Sequence, residues 1–412
     1  MTSHVTIVGA GIVGVNCAIA LLKTGHSVTV IDRENPGDGC SFGNAGLLAA
    51  SAFEPLASPG TLLQVPGWLL DPEGPLFIQW RHLPRLLPWL VRYAKDGAFG
   101  DRKVQRDGLH CLMSPSVELY TQLAQEAGVP DLVRQSGALY AYSSARKYAK
   151  DLSGFEARRE RGYDFHHLDR AGIAEREPHL APKYQWGYLI EDYGWVSNPG
   201  RMVKALAVYA ETLGANFEKA DVLDVEMGPD GPTSLNTNKG PRAIDKLLVA
   251  AGAFSHQLSA RFDDHVPLET ERGYHVTIEN PGVMPTMPVM DNEMKAWITP
   301  MEMGVRCAGT VELASLDAPL NERRAEVLLK LAKRMLPELD ISQYTTWMGR
   351  RPTLPDSLPV IGPARSCSNV FYAFGHQHLG LTGAPATARL IAEIVAGRSP
   401  NQDISAFRVD RF

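Results

Sequence analysis

The chain has 412 residues, 44% of them hydrophobic and 21% charged, with a formal net charge of −5. That length allows two domains with substantial cores, and the composition is that of an ordinary soluble globular protein. Net negative charge gives no reason to expect nucleic acid as a partner, and five scattered cysteines (Cys17, Cys40, Cys111, Cys307, Cys367) form no C-x-x-C pair, so no disulfide framework and no metal site is expected.

The N-terminus reads as a dinucleotide-binding unit. An apolar strand, Val5–Val8, runs into Gly9-Ala-Gly11-Ile12-Val13-Gly14, a helical stretch follows, and a second strand from Val28 ends at Asp32-Arg33. Gly9 allows the tight turn, Gly11 lets the backbone approach a pyrophosphate, and Gly14 permits close helix–strand packing. The helix start at Ile12 and Val13 offers free N–H groups and a positive dipole end to the phosphates. Asp32 is placed to accept hydrogen bonds from an adenosine ribose. It favours a free 2′-hydroxyl, while Arg33 keeps a 2′-phosphate open, and the motif alone does not separate NAD from FAD. Because this first apolar run is a strand of the unit, it is not read as a signal peptide. No apolar stretch reaches the ~20 residues of a spanning helix, so a cytoplasmic protein is expected.

Residues 62–106 depart from the average. They hold three of the seven tryptophans (Trp68, Trp80, Trp89), and prolines 66, 72, 75, 84 and 88 interrupt the helical pattern. From Phe77 to Arg106 seven basic residues stand against two acids. Two readings stay open: a helical lid whose aromatics fill the space between domains, or a surface for peripheral contact with the inner face of a membrane.

Further along, helical patterns lie around Ser116–Ala127 and Leu152–Arg161, with a strand-like Gly137–Tyr142 between them. Asn198 and Pro199 open a helix to Leu213. A strand over Asn216–Val225 and a buried strand over Lys246–Gly252 continue the first nucleotide sheet. From Pro267 to Glu312 the pattern is mostly β, at Tyr274–Ile278, Ala296–Thr299 and Val305–Thr310, and a helix from Asn321 to Leu336 follows. Such an interrupted nucleotide domain points toward a flavin enzyme. Near the end, strand Val370–Phe374 runs into Gly375-His-Gln-His-Leu-Gly380-Leu-Thr382, which opens the terminal helix. That is a second helix end for electron-rich atoms, and two in one chain suit an elongated cofactor such as FAD.

Four segments, Gly9–Gly14 with Asp32-Arg33, Ser41-Phe-Gly-Asn44-Ala45-Gly46, Gly349-Arg-Arg351-Pro352 through Gly362, and Gly375–Thr382, resemble the flavin-dependent D-amino-acid dehydrogenases of the glycine oxidase and sarcosine oxidase superfamily. The resemblance implies an α/β fold: a Rossmann-like FAD-binding domain built from discontinuous segments (1–65, 196–262, 346–412), beside a mixed, largely antiparallel substrate sheet (66–195, 263–345). It implies non-covalent FAD along Ser41, Asn44, Ala45 and Gly46. Val222 should meet the adenine, and Ala251 and Gly252 should line the AMP half. Gly380, Leu381 and Thr382 belong to the flavin turn, with His378 beside the ring and His376 toward the substrate. Related enzymes carry a basic residue after the Thr299-Pro300 segment to bind the substrate carboxylate; here that place holds Met301.

Amine oxidation by a flavin needs a neutral amine and a Cα–H aimed at N5, so positioning matters more than an essential acid or base. A carboxylate needs a cationic or hydroxyl clamp. Alternation puts Tyr274 and His275 on opposite faces of their strand, with Tyr274 favoured as the contact. Arg351 suits a bidentate carboxylate. The implied activity is oxidation of a D-amino acid or a cyclic imino acid such as D-proline, with electrons passed to a quinone. Alternatives are an oxidase that uses oxygen directly, disfavoured by the lack of lysine from Trp347 to Pro385, and a non-catalytic flavoprotein subunit.

Overall fold

In the computed structural model, which describes residues 3–229 and 231–412, an apolar strand β1 (His4–Val8) leads through the glycine turn into helix α1 (Ile12–Lys23). Gly11 caps α1 without a side chain, and the missing acceptor comes from a distance: Ser41 Oγ takes the Ile12 N–H at 2.9 Å. The helix stops at Thr24, and Gly25, at φ +90°, turns the chain back into β2 (Ser27–Asp32). After β2 the chain makes an arm of two short helices, Pro59–Leu62 and Val65–Leu70, a strand Leu76–Ile78 and a long helix α2 (Leu83–Phe99). It later returns as β3 (Asn216–Lys219) and β4 (Lys246–Val249), then forms β5 (Glu269–Ile278), β6 (Gly304–Leu313) and helix α3 (Glu322–Met335). The last elements are β7 (Tyr344–Thr353), β8 (Val360–Pro363), β9 (Val370–Phe374) and helix α4 (Gly380–Val395).

Two large sheets organise these elements. One is six-stranded in the order β3–β2–β1–β4–β9–β8, with β1 parallel to both β2 and β4. Helices α1 and α4 cover one face, burying Cys17, Ala18, Leu21, Leu390 and Ile391 against Val5, Ile7, Leu248 and Phe371. These strands are apolar on both faces, as parallel sheets require. The other sheet is nine-stranded and largely antiparallel, running β7–β5–β6 and then through Ala296–Met301, Val289–Asp291, Ala138–Tyr142, Trp186–Ile190 and His166–Asp169, with Leu76–Ile78 of the arm as the ninth strand beside the end of β6. Helix α3 packs Ala325, Leu328, Leu331 and Met335 onto its outer face, against Tyr274, Val276, Ile278 and Cys307.

Three features differ from the sequence reading. The segment Asn216–Val225 is two strands: β3 extends the six-stranded sheet, whereas Val222–Gly228 begins a separate antiparallel meander with Gly231–Thr237 and Gly240–Ala243. Both parts are β-prone, so composition does not mark the change of sheet. The segment 346–353 joins the substrate sheet, since β7 pairs with β5 from Glu269↔Thr353 to Ile278↔Tyr344. The change between layers therefore follows Thr353. In the 62–106 arm, lid and exposed surface coexist. Trp89 is buried against Leu313 and Ile78 and its Nε1 donates to Pro267 O at 3.1 Å. On the outside, Leu63 and Leu70 are 84% exposed and Phe99 86%.

Candidate active site

The turn between β1 and α1 has a shape only glycine allows. Gly9 sits at φ +118°, and a Cβ there would lie 2.3 Å from Ala250 O; a Cβ on Gly14 would lie 1.9 Å from Gly9 O. Gly14 therefore packs helix on strand. Asp32, at the end of β2, accepts from Ala10 N at 2.6 Å and from Glu34 N at 2.9 Å, which fixes the direction of its carboxylate. Arg33 lies over the Phe254 ring at 4.3 Å. Gly9, Gly11, Ile12, Val13, Asp32, Arg33, Ser41, Asn44, Val222, Ala251, Gly252, Gly380 and Leu381 line one elongated channel of about 730 Å³. The starts of α1 and α4 both open on it. A channel with a bare glycine approach, an acid at one end and two helix N-termini fits a dinucleotide.

A wider cavity of about 1720 Å³ adjoins the channel, and Cys40, Asn44, Trp347, Gly349 and Gln377 line both. Ala45, His378 and Thr382 line the wide part, whose roof is the arm, through Leu62, Trp68, Leu69, Trp89 and Tyr93. Thr382 Oγ1 donates to Leu47 O at 3.0 Å, and Gly46, at φ +83°, is pressed against Val196 O, where a Cβ would come within 2.5 Å. These contacts hold the Ser41–Gly46 turn at the junction of channel and cavity. Arg306, buried on β6, ties the same turn down by donating to Phe42 O at 3.2 Å and Asn44 O at 2.7 Å.

Strand register decides which residues reach the cavity. On β5, Glu271, Gly273 and His275 share one face, while Arg272, Tyr274 and Val276 share the other. Arg351 faces Glu271 across the strands, and its guanidinium lies over Gly273, where a Cβ would be 2.2 Å from Cζ. It lines the wide cavity beside His378.

Three expected substrate contacts are corrected. Tyr274 points to the opposite face: its hydroxyl donates to Glu312 and accepts from Asn321 N at 3.3 Å, under α3. Arg272 Nη1 completes this buried network 3.2 Å from Glu312. His275 is on the site-facing side yet turned to structure, with Nδ1 3.0 Å from Gly43 O and its ring stacked on Trp347 at 5.0 Å. His376 is turned toward α4, with Nε2 2.9 Å from Thr387 Oγ1. His378, expected beside the ring, adjoins Arg351 in the cavity that the arm covers and is not among the residues lining the cofactor channel. Met301 packs at the Gly46 turn, and Arg351, on another strand, places a guanidinium on the cavity wall. Among the described residues no group of three or more His, Cys, Asp or Glu is arranged to hold a metal.

Sequence reasoning passed over Trp347, Arg306 and Glu271. Trp347 had only the neighbouring Gly349 as a signal; in the fold its indole lies over both Gly43 and Gly349, where a Cβ would come within 2.1 Å and 2.0 Å of the ring. Arg306 and Glu271 carried no local signal, because only strand pairing aims them.

The buried histidines give the fold a pH dependence. Burial, then Arg306, pushes His275 down to about 3, and burial pushes His376 down to about 4. In the unfolded chain both take up a proton near the ordinary value of about 6.5. The unfolded state therefore binds more protons between those limits. Their contribution is complete above about pH 6.5 and is lost progressively as pH falls toward 3–4. At about pH 5 the two together are expected to cost on the order of 2–4 kcal/mol. Urea melts at about pH 7.5 and about pH 5 check this, and His376→Asn should flatten the slope. An unchanged midpoint contradicts it.

Comparison with known proteins agrees with this geometry. A family model described as FAD dependent oxidoreductase matches residues 4–394. A "D-amino-acid oxidase" of Bradyrhizobium diazoefficiens is 41% identical, with 99% of each chain covered. A "D-amino acid dehydrogenase" of Sinorhizobium medicae is 30% identical, also over 99% of each. The solved structure of glycine oxidase from Geobacillus kaustophilus superposes with a TM-score of 0.77 at 22% identity, covering 100% of both chains.

Proposed function

The chain belongs to the family of FAD-dependent oxidoreductases, and from that premise we propose that it oxidises D-amino acids or cyclic imino acids of the D-proline and hydroxyproline type, with electrons passed to a quinone or another non-oxygen acceptor. One observation carries the reading: Arg351 is held on the wall of a roofed cavity that shares Trp347, Gly349 and Gln377 with the cofactor channel. A guanidinium there binds a carboxylate in two parallel hydrogen bonds and so fixes which end of a small acid faces the channel. The 41%-identical relative bears the name D-amino-acid oxidase, which supports the substrate class.

FAD, when bound, supplies the hydride acceptor. The residues that would hold it fit an elongated dinucleotide: the bare turn at Gly9 and Gly11 for the diphosphate, Asp32 for the ribose, Val222 and Ala251 for the AMP half, and the α4 start with the Ser41–Gly46 turn for the ring. Arg351 binds and orients the substrate, and the arm excludes water through Trp89, Leu69 and Tyr93. Burial, then Arg351, lowers His378 to about 4, so at neutral pH it stays uncharged and does not compete for the carboxylate.

Among the described residues no helix is long and apolar enough to cross a membrane. The exposed Leu63, Leu70 and Phe99, with the basic excess of the arm, support peripheral contact with an anionic bilayer that holds the quinone. The second reading is transfer to oxygen, favoured by the name of that same 41%-identical relative. One assay separates them. Purified flavin-loaded protein is given D-alanine or D-proline with anionic vesicles containing ubiquinone, and quinol and peroxide are followed while vesicle flotation is measured. Quinol formation with co-flotation supports the dehydrogenase; stoichiometric peroxide without flotation supports the oxidase. A flavin that no amino acid bleaches under anaerobic conditions ends both.

A further inference from the structure

We propose that Glu271 is the residue that binds the substrate's amine: Arg351 and Glu271 form a receptor for a zwitterion, the guanidinium taking the α-carboxylate and the Glu271 carboxylate taking the α-ammonium group. The proposal rests on the amino-acid reading above and deepens it. Glu271 and Arg351 are direct register partners on β5 and β7. Directly opposed residues leave the same face of a sheet with Cβ atoms about 4.5–5.5 Å apart. Their charges nevertheless remain separate. The Arg351 guanidinium runs along the sheet over Gly273, and its Nη1 donates to Thr310 O at 3.3 Å. Among the described residues no ion pair joins Arg351 to Glu271; the arginine of this strand that does pair is Arg272, with Glu312 on the other face.

Glu271 is 7% exposed, and both it and Arg351 line the wide cavity. Burial raises the Glu271 carboxyl against the pull of Arg351, and the Thr353 hydroxyl is the polar group beside it. Tyr93, stacked on Trp89 at 4.9 Å, approaches the same carboxylate from the arm. A carboxylate in such a place is costly unless a cation compensates it. A purely structural counter-ion closes on its arginine. Here the arginine is drawn aside by the Thr310 carbonyl, which itself lies beside the β5–β6 bulge at Gly273–Tyr274. One positive and one negative group, side by side on a single wall, match the charge pattern of an α-amino acid.

The test is equilibrium binding to flavin-loaded protein, read from the change in flavin absorbance. Two probes share one carbon skeleton: 2-aminoisobutyrate, a zwitterion with no Cα–H and so inert to oxidation, and 2-methylpropanoate, its amine-free counterpart. The native protein is expected to bind the amino probe about tenfold tighter or more. Glu271→Gln should lose that preference while affinity for 2-methylpropanoate holds or rises, and Glu271→Asp should recover part of it. Equal native affinity for the two probes overturns the proposal, as does a Glu271→Gln variant that weakens both alike. Because neither probe is turned over, the two ideas fail separately. A protein that discriminates the probes but oxidises no amino acid overturns the activity, whereas one that oxidises D-alanine without discriminating them overturns the receptor.

Discussion

Replacing Arg351 with alanine is expected to lower kcat/KM for D-alanine by about 100-fold or more, with flavin content unchanged. The size follows from the setting. Arg351 lines a cavity roofed by Trp89 and Tyr93, where a charge-assisted pair is strong because water is kept out. Removing the guanidinium takes the positive charge from this wall and leaves only the buried Glu271 carboxyl on it, so an incoming carboxylate loses its partner. The loss should fall on both KM and kcat, since the same contact that binds the acid also orients it. Arg351→Lys restores charge without the planar fork and should recover only part of the activity. Steady-state kinetics with a quinone or dye acceptor decide the matter. A variant within about threefold of native kcat/KM, beyond what kinetic error explains, moves the carboxylate site elsewhere.

Gly11→Ala is expected to empty the protein of flavin while leaving the fold intact. At Gly11 the backbone is extended, φ −73° and ψ 179°, a conformation alanine adopts freely. The nearest atom to an added Cβ is Ser41 Oγ at 3.4 Å, ordinary van der Waals contact. The new methyl group therefore disturbs little within the chain, but it occupies the channel where the backbone must approach a diphosphate. Flavin bound per protein, from the visible absorbance of the purified variant, should fall about tenfold or more, equivalent to about 1.4 kcal/mol or more of lost affinity. Far-ultraviolet circular dichroism should match that of the native apoprotein. Gly14→Ala is the contrasting control. Its Cβ would lie 1.9 Å from Gly9 O, so α1 must shift, and stability should fall together with flavin content. A yellow Gly11→Ala variant with native flavin content places the diphosphate elsewhere.

Much of the cofactor half was legible because its determinants are close in sequence. Strand, glycine turn, helix, strand and acid occupy residues 4–32, and the structure builds them in that order. Asn198 likewise declared its helix, and its side chain accepts from Arg201 N at 3.0 Å as an N-cap should. The meander over 222–243 was not legible, since nothing in β-prone residues says which sheet they join. The end of the substrate sheet at Thr353 was hidden for the same reason.

For the substrate half, the period of two placed Tyr274 and His275 on opposite faces, and that was correct. It contained no information about which face meets the cofactor. That choice is made by α3, whose Leu328 and Leu331 cover the Tyr274 face, and by the turn at Gly43, whose carbonyl takes His275. These partners lie about 50 to more than 200 residues away along the chain. By itself, then, the sequence determined a dinucleotide fold, its glycine cradle and its acid, because backbone conformation and nearest-neighbour packing are local matters. Only the tertiary structure decided that Arg351 and Glu271 share the wall of the cavity while Tyr274 and His376 commit their polar atoms to Glu312 and Thr387, because a side chain's direction is set by the layer that packs against it.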